Sequence, residues 1–401
     1  MKLESVRIPP RLRGFDAHGD VQLFDVTLAG DRVQAIDASA SQAPADARGT
    51  LLSALVEAHA HIDKNYTVQE VGAAEGDLFA AIARMDQHRA GWTGETLRLR
   101  MARALHEAWR AGVRALRTHI DWVEADAPAA LAVFEALRTE WQGRIDLQFV
   151  SLTPLDVFAD LDVGERIARQ VKRAGGTLGA FVYRNEGLVH KLGRVFDLAQ
   201  DHGLGLDFHV DEGLDADASG LRSIAQLVRA RDFGGGVVCG HCCSLSVQDD
   251  AVAHETLALC AGAGLHLVAL PTTNLYLQGA WDRTPVPRGI TRIHEAAARG
   301  LRASLATDNV QDAFYPYGSY DLLETFGLGV QMAHLAPAED WLDAITIAPA
   351  RALGLAWDGR IAPGCPAELV LLAAVGEHEL IGPRGRERIV IRNGRILETT
   401  P

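Results

Sequence analysis

The chain has 401 residues, of which 48% are hydrophobic and 23% are charged, and its formal net charge is -13. These values describe a globular protein with room for one barrel of about 250 residues and a smaller unit beside it. The negative charge argues against nucleic acid as a partner, because nucleic-acid-binding proteins concentrate positive charge at their contact surface. A small neutral or cationic substrate fits this charge better.

The sequence contains no recognisable targeting or membrane segment. Its start, MKLESVRIPPRLRGFD, lacks the apolar stretch of a signal peptide, and no apolar run approaches the about 18 residues of a membrane span. The five cysteines are an odd number without a second pair at zinc-site spacing. We therefore expect a cytoplasmic protein with no membrane partner, whose reduced thiols lie in the core or in pocket walls.

Eight short apolar runs alternate with longer amphipathic stretches, which is typical of repeated βα units. The runs are LLSALVEAH, VRALRTHID, IDLQFVSL, TLGAFVY, LGLDFHVDE, GVVCGHCC, LHLVALPTTN and RASLATDN. Stretches such as ETLRLRMARALHEAWRAG, DVGERIARQVKRAGG and TRIHEAAARG have helical apolar spacing and end in Gly. The pattern predicts an α/β fold with a (β/α)8 TIM barrel. An open doubly wound sheet is the alternative, although the first βα turn lacks the GxGxxG fingerprint.

The two ends of the chain contain short strands separated by turns. VQLFDVTLAGDRVQAIDA lies near the start, and AELVLLAAV and RIVIRNGRILET lie near the end. Neither end is large enough to bury a core alone, so we expect both to form one small β-sandwich. The predicted division is 1–53 and 356–401 for the two parts of the sandwich and 54–355 for the catalytic barrel.

Polar side chains lie at the carboxyl ends of five predicted strands. They are His59, His61, His119, Asp121, His209, Glu212, His241, Asp308 and Asn309. Taken singly, each histidine could equally well be a solvated loop residue or a structural residue as a member of a functional site. The carboxyl ends of barrel strands form one rim, however, where such enzymes place their chemistry. The shared placement therefore favours one functional site.

Four of these residues are of the types that bind a borderline divalent ion. They are His59, His61, His209 and Asp308. Residues two apart in a strand point to the same face, so the first two imidazoles project together. Three neutral nitrogens and one carboxylate oxygen suit one divalent ion, Zn2+ or Fe2+, with an open position for water. Such an ion lowers the pKa of its bound water towards neutrality.

Three residues are candidates for the catalytic proton transfers. Glu212 lies three residues after His209 and can carry a proton from the water to a leaving group. His241 can hydrogen-bond the water or polarise the electrophile, and Asp308 can accept the first proton as well as bind the ion. The structural alternatives are that Glu212 caps or solvates a turn and that His241 is a structural rim residue.

Taken together and in this order, the motifs resemble the amidohydrolase superfamily and, within it, the cytosine deaminase group. The matching segments are EAHAHIDK, RTHID, FHVDE, GHCCSL, NLYLQGAWDRTPVPRGITRIHE and ATDNVQDAFYPYGSYDLLE. The resemblance implies a mononuclear metal hydrolase in which the four residues above bind the ion, Glu212 is the proton shuttle and His241 is the strand-six histidine. It implies no carboxylated lysine on strand four, and Lys64 is expected to be a structural cation or a cation behind the ligands.

Several positions depart from the cytosine deaminases and make cytosine itself a doubtful substrate. Asn309 replaces their second aspartate, as in triazine-acting relatives that lack the HxxE glutamate, and its amide donates as well as accepts hydrogen bonds. Strand three ends in SLTPLD without their pyrimidine-binding glutamine, and Thr153 lies there instead. Phe314 replaces a tryptophan and keeps a flat wall for stacking. We take Asn309, Thr153, Phe314 and His119 as the candidate substrate-binding residues.

The sequence therefore predicts a metal-dependent hydrolytic deaminase that releases ammonia from a cytosine-like, pyrimidine, triazine or related ring. A second hypothesis is an amidohydrolase that opens a cyclic amide or removes a substituted amine from a triazine-like ring. A remote third is a non-catalytic assembly protein, against which the complete set of ligands and acid argues. The sequence leaves open the exact substrate, the native metal and whether the chain forms a homo-oligomer.

Overall fold

The computed structural model describes residues 1–17, 20–74 and 78–398. The strands in these ranges are β1 (Lys2–Arg7), β2 (Leu23–Ala29), β3 (Arg32–Ala38), β4 (Gly49–Ser53), β5 (Leu55–Ala60), β6 (Val113–Asp121), β7 (Asp146–Pro154), β8 (Thr177–Val182), β9 (Leu206–Val210), β10 (Val237–His241), β11 (His266–Ala269), β12 (Ser304–Leu305), β13 (Leu369–Leu372), β14 (Arg388–Arg392) and β15 (Arg395–Ile396). The α-helices are α1 (Val68–Val71), α2 (Leu78–Arg89), α3 (Gly94–Ala111), α4 (Ala129–Glu140), α5 (Leu161–Ala174), α6 (Leu188–His202), α7 (Gly220–Ala230), α8 (Asp250–Gly262), α9 (Pro271–Leu277), α10 (Ile293–Ala297), α11 (Leu322–Met332), α12 (Ile347–Ala352), α13 (Glu377–Leu380) and α14 (Pro383–Arg386).

Strands β5 to β12 form one eight-stranded sheet in chain order, and each pairs in parallel with the next. The sheet closes through a parallel bridge between Ala60 and Asp308, where Asp308 N donates to His59 O at 2.9 Å. The predicted (β/α)8 barrel is therefore confirmed. The closing hydrogen bond also brings the last predicted metal ligand beside the first.

The barrel helices have the amphipathic pattern that the sequence predicts. Helix α5 buries Ile167 and Val171 completely and ends at Gly175, whose positive φ of 68° suits glycine. Each such buried aliphatic side chain stabilises the fold by about 1.5–3 kcal/mol. Helix α3 begins with a capping box between Thr93 and Thr96. These helices cover the outer face of the barrel and leave its carboxyl rim free for the site.

The strands from the two ends of the chain assemble into one mixed sheet. Its order is β15-β14-β13-β4-β1-β2-β3. Strand β4 joins the two ends, because it pairs in parallel with β1 and antiparallel with β13, where Leu52 lies opposite Val370. The prediction of one small β-sandwich built from both termini is confirmed in that strands of both ends assemble together, and they do so within a single seven-stranded sheet.

The first predicted strand, LLSALVEAH, divides into two. Strand β4 ends in the terminal sheet at Ser53, and β5 begins in the barrel at Leu55. Ala54 lies between them and donates its N–H to Glu368 O at 2.9 Å. A continuous apolar run buried on both faces contains no periodicity that could mark this change of sheet. The last predicted strand is also shorter, since β12 covers only two residues.

The described residues also bear on the predictions about thiols and membranes. All five cysteines are free, and four of them are buried. Among the helices described here, none combines the length and the apolar character that crossing a bilayer requires.

Candidate metal centre and active site

Four predicted ligands converge at the carboxyl rim of the barrel. The Nε2 atoms of His59 and His61 each lie 3.2 Å from His209 Nε2. Asp308 Oδ1 lies 3.4 Å from His59 Nε2 and 3.1 Å from His61 Nε2. Tetrahedral ligands about 2.1 Å from a metal are separated by about 3.4 Å, so this spacing suits one divalent ion.

The surroundings of these atoms also fit an ion. Both carboxylate oxygens of Asp308 are buried and accept no hydrogen bond among the described residues. A buried carboxylate without donors is costly unless it is paired or binds a metal. Burial lowers the pKa of His61 to about 4 and that of His209 well below the usual value, so both imidazoles are neutral, as metal binding requires.

Glu57 holds two of the ligand-bearing segments together. Its buried carboxyl group accepts hydrogen bonds from His59 N at 3.0 Å and from Thr307 N at 3.1 Å. It thereby links the end of β5 to the segment that carries Asp308. Burial raises the pKa of Glu57 to about 8. No role was predicted for Glu57 from the sequence, although an acidic residue inside a buried apolar run was a usable signal.

Glu212 and His241, the predicted proton shuttle and strand-six histidine, lie next to each other in the site. Glu212 Oε1 lies 3.2 Å from His241 Nδ1, and Asn274 Nδ2 approaches the same nitrogen at 3.0 Å. Burial and the charge of Asp308 raise the pKa of Glu212 well above its usual value, whereas burial lowers that of His241. A neutral His241 that accepts a hydrogen bond at Nδ1 carries its proton on Nε2. Nε2 has no hydrogen-bond partner among the described residues.

The loop after β9 turns Glu212 towards the ligands. Asp211 points the other way and accepts hydrogen bonds from Gly220 N at 3.1 Å and Leu221 N at 2.9 Å, at the start of α7. A Cβ at Gly220 would lie 2.5 Å from Asp211 Oδ1, so this contact requires glycine. Gln278 Nε2 donates to Glu212 O at 3.3 Å. The loop is thus fixed on both sides of the acid.

The site opens into a cavity of about 120 Å³. Its polar lining residues are His61, Lys64, Asp86, Arg89, Asp121, His209, Glu212, His241 and Asn309. Its apolar lining residues are Leu78, Ile82, Met85, Val123, Leu152, Pro154, Phe181 and Phe314. The structure therefore places Asn309 and Phe314 on the cavity wall, together with the predicted acid and two of the predicted ligands.

Two candidate substrate-binding residues, Thr153 and His119, lie outside the lining of this cavity. Thr153 is fully buried and does not line the cavity, because Leu152 and Pro154 occupy the cavity-facing positions of β7. His119 lies behind the ligands, with its ring centroid 3.9 Å from that of His59 and its Nε2 3.3 Å from Asp207 Oδ1. The position of a residue near a strand end reveals neither its face nor its depth.

Lys64 and Arg89 pair with Asp121 on the cavity wall. Lys64 Nζ lies 2.8 Å from Asp121 Oδ1, and Arg89 Nη2 lies 2.5 Å from Asp121 Oδ2. Although burial opposes it, these two cations hold the pKa of Asp121 below its usual value. Lys64 Nζ also lies 5.4 Å from the ring centroid of Phe314. Asp121 was predicted from the sequence to be a rim residue, whereas no role was predicted for Arg89 on α2.

Comparisons with known proteins place the chain among related enzymes. The sequence profile of the Amidohydrolase family matches residues 65–397. A pterin deaminase from Rhizobium rhizogenes strain K84 is 36% identical over 375 residues, which cover 92% of this chain and 86% of the relative. An N-isopropylammelide isopropyl amidohydrolase from Pseudomonas sp. strain ADP is 25% identical over 391 residues, with coverages of 94% and 93%.

The fold has an equally extensive counterpart among solved structures. A 5-methylcytosine deaminase from Klebsiella pneumoniae, with 5-fluorocytosine bound, matches with a TM-score of 0.86 and 29% identity. The match covers 100% of this chain and 98% of the other, so it includes the strand that carries His59. Together with the family profile, it agrees with the resemblance that the motifs indicate. The chain belongs to the amidohydrolase family.

Proposed function

We propose that the protein is a metal-dependent hydrolase that deaminates an aminated nitrogen heterocycle, and that the ring is a fused, pterin-like one. The observation that carries the reaction type is the buried Glu212 beside His241, facing three imidazoles and Asp308. The similarity to the pterin deaminase supports the fused ring. The apolar walls formed by Leu152 and Phe314 suit an extended flat ring.

The four converging residues would hold one divalent ion, and we take Zn2+ and Fe2+ as the candidates. When bound, the ion acts as a Lewis acid and lowers the pKa of a water molecule. Neutral His61 and His209 and the ionised Asp308 are in the protonation states that such an ion needs.

The proton transfers fall to residues of this chain. Glu212, as a carboxylate, takes one proton from the attacking water and passes it to the ring nitrogen, and it then carries the second proton of that water to the leaving amine. His241 donates from Nε2 to the oxygen that becomes the product carbonyl. Water and the C–NH2 group are thereby converted into a C=O group and ammonia. The raised pKa of Glu212 suits this role, because such a carboxyl group can bind a proton near neutrality and can therefore act first as a base and then as an acid.

Ammonia release from a panel of rings tests this function. The metal-loaded protein is incubated with pterin, cytosine, 5-methylcytosine, an aminotriazine and creatinine, and the products are identified by mass. We expect ammonia from pterin, with oxygen in place of NH in the product. A product that has gained a whole water molecule would indicate ring opening. If fully metal-loaded protein releases no ammonia from any ring of the panel, the proposal is refuted.

Removal of a substituted amine is the second candidate reaction. The relative named N-isopropylammelide isopropyl amidohydrolase supports it, and Leu78, Ile82 and Met85 give the cavity an apolar side that suits an alkyl group. Release of isopropylamine from N-isopropylammelide, with little ammonia from the free-amino rings, would favour this reaction.

The five free cysteines are consistent with a reducing compartment, and we propose a cytoplasmic location on that basis. We propose a small heterocycle as the principal partner.

A further inference from the structure

We propose that Asp312 fixes the side-chain amide of Asn309 with its carbonyl oxygen towards the cavity, so that the site selects a ring presenting an N–H donor at this edge. Asp312 is then a positioning residue that determines specificity without touching the substrate. The inference rests on the proposed function and names the hydrogen-bonding edge of its substrate.

The orientation of Asn309 follows from its partner. Asn309 Nδ2 donates to Asp312 Oδ2 at 2.7 Å, and this is the only hydrogen bond of the Asn309 side chain within the described residues. A carboxylate only accepts hydrogen bonds, so the amide must turn its NH2 group towards it. The amide oxygen then points the other way. Since it is not among the buried atoms left without a partner, and Asn309 lines the cavity, this oxygen faces the substrate space.

Asp312 itself is held by the backbone. Its Oδ1 accepts hydrogen bonds from Phe314 N at 2.9 Å and from Tyr315 N at 3.1 Å, and the whole side chain is buried. These donors favour the carboxylate form, although burial raises the pKa of Asp312 to about 7. The same turn carries Phe314, which lines the cavity. One buried group thus positions both an apolar wall and a polar contact.

The chemical consequence is a filter at one edge of the ring. An acceptor oxygen pairs with a ring N–H or an exocyclic amino group and opposes a ring nitrogen that presents a lone pair. Sites built to hydrogen-bond a substrate group strongly reject analogues that lack it. Amino-substituted lactam rings with a protonated ring nitrogen, such as 2-amino-4-oxo fused pyrimidines, meet this requirement.

Replacing Asp312 with Asn should reverse the amide of Asn309. In Asp312→Asn, the new oxygen must still accept from the backbone N–H groups of Phe314 and Tyr315, so its NH2 group faces Asn309. Asn309 then turns its oxygen inward and presents NH2 to the cavity. With pterin as the probe, we expect the KM to rise about 10- to 100-fold while the kcat, the metal content and the thermal midpoint change little.

A reciprocal exchange separates this role from a structural one. In Asn309→Asp combined with Asp312→Asn, the hydrogen bond between the two residues is kept in reverse and an acceptor again faces the cavity. We expect this double variant to recover a low KM. Asp160→Asn is the matched control, because Asp160 also accepts two backbone N–H groups, from Asp162 and Val163, but lies at the exposed start of α5. It should leave the KM unchanged.

The outcomes are distinguishable. An unchanged KM in Asp312→Asn, or a double variant no better than the single one, would overturn this inference and leave the deaminase function intact. Parallel losses of thermal stability and kcat would also overturn it, since they indicate a structural role. A wild-type protein that deaminates no ring of the panel would remove the proposed function and this inference together.

Discussion

Glu212 Oε1 lies 3.2 Å from His241 Nδ1, and the two side chains are almost completely buried. Burial acts in opposite directions on the pair, since it raises the pKa of the acid and lowers that of the imidazole. Burial thus favours the uncharged form of each group, so the carboxyl group binds a proton more readily than an exposed glutamate and the imidazole stays neutral. A pair tuned in this way holds an acid ready beside a neutral hydrogen-bond donor.

Replacing Glu212 with Gln should abolish turnover without loss of metal. The amide keeps the shape of the side chain but cannot accept or return the proton, so we expect kcat to fall about 100- to 10,000-fold. Ammonia release and elemental analysis of the same sample measure the two effects. Substantial residual turnover in fully loaded Glu212→Gln would assign the proton transfers to another group.

Removing the metal should lower thermal stability as well as activity. Without an ion, the carboxylate of Asp308 is buried with no hydrogen-bond donor among the described residues. An ion present at about 1,000 times its dissociation constant stabilises a folded protein by about 4 kcal/mol. We expect chelation to lower the thermal midpoint and added Zn2+ or Fe2+ to restore it. An identical midpoint with and without chelator would contradict a metal centre here.

Replacing Glu57 with Gln should change how the stability of the metal-free protein depends on pH. The pKa of Glu57 rises from 4.5 to about 8 on folding, so the folded state binds more protons in this window. The stability of the wild type therefore falls as pH rises from about 4.5 to about 8, on the order of a few kcal/mol. The amide of Glu57→Gln does not ionise, so the variant should lose this decline. Denaturant unfolding of both proteins across the window measures the difference, and parallel profiles would contradict it.

Substitutions at two neighbouring residues of β7 should differ in their effect on the KM. Leu152 faces the cavity, so Leu152→Ala should remove part of the ring's wall and raise the KM about 10-fold. Thr153 faces away from the cavity and its hydroxyl has no hydrogen-bond partner within residues 1–17, 20–74 and 78–398, so Thr153→Val should leave the KM unchanged. Steady-state kinetics on the same ring compares them. A KM that rises only in Thr153→Val would restore the original prediction for that residue.

The sequence was sufficient for the barrel and for the convergence of the ligands, because both follow from periodicity and from the common rim of parallel strands. Distances were not needed to predict that four residues share one site, namely His59, His61, His209 and Asp308. The segment SLTP alternates polar and apolar residues, but the alternation alone does not show that the apolar Leu152 and Pro154, and not Thr153, line the cavity.

Other features depended on three-dimensional information that a linear pattern lacks. The depth of His119 is set by its packing against His59 and by Asp207, which is 88 residues away. Arg89 reaches Asp121 from α2, and Asn309 meets Asp312 through a tight turn. The positions of these groups depend on side-chain contacts between segments. The periodicity of strands and helices does not predict such contacts.

The bond from Asp308 N to His59 O lies at the seam where the first and last barrel strands meet, and β12 contributes only two residues there. Both residues belong to the predicted set of metal ligands, so a bound ion would link the first and last strands of the barrel where their pairing is shortest. Separation of these two strands would expose the edges of β5 and β12, and free sheet edges pair readily with other chains. We therefore expect loading with metal to reduce aggregation of the protein in addition to enabling its chemistry.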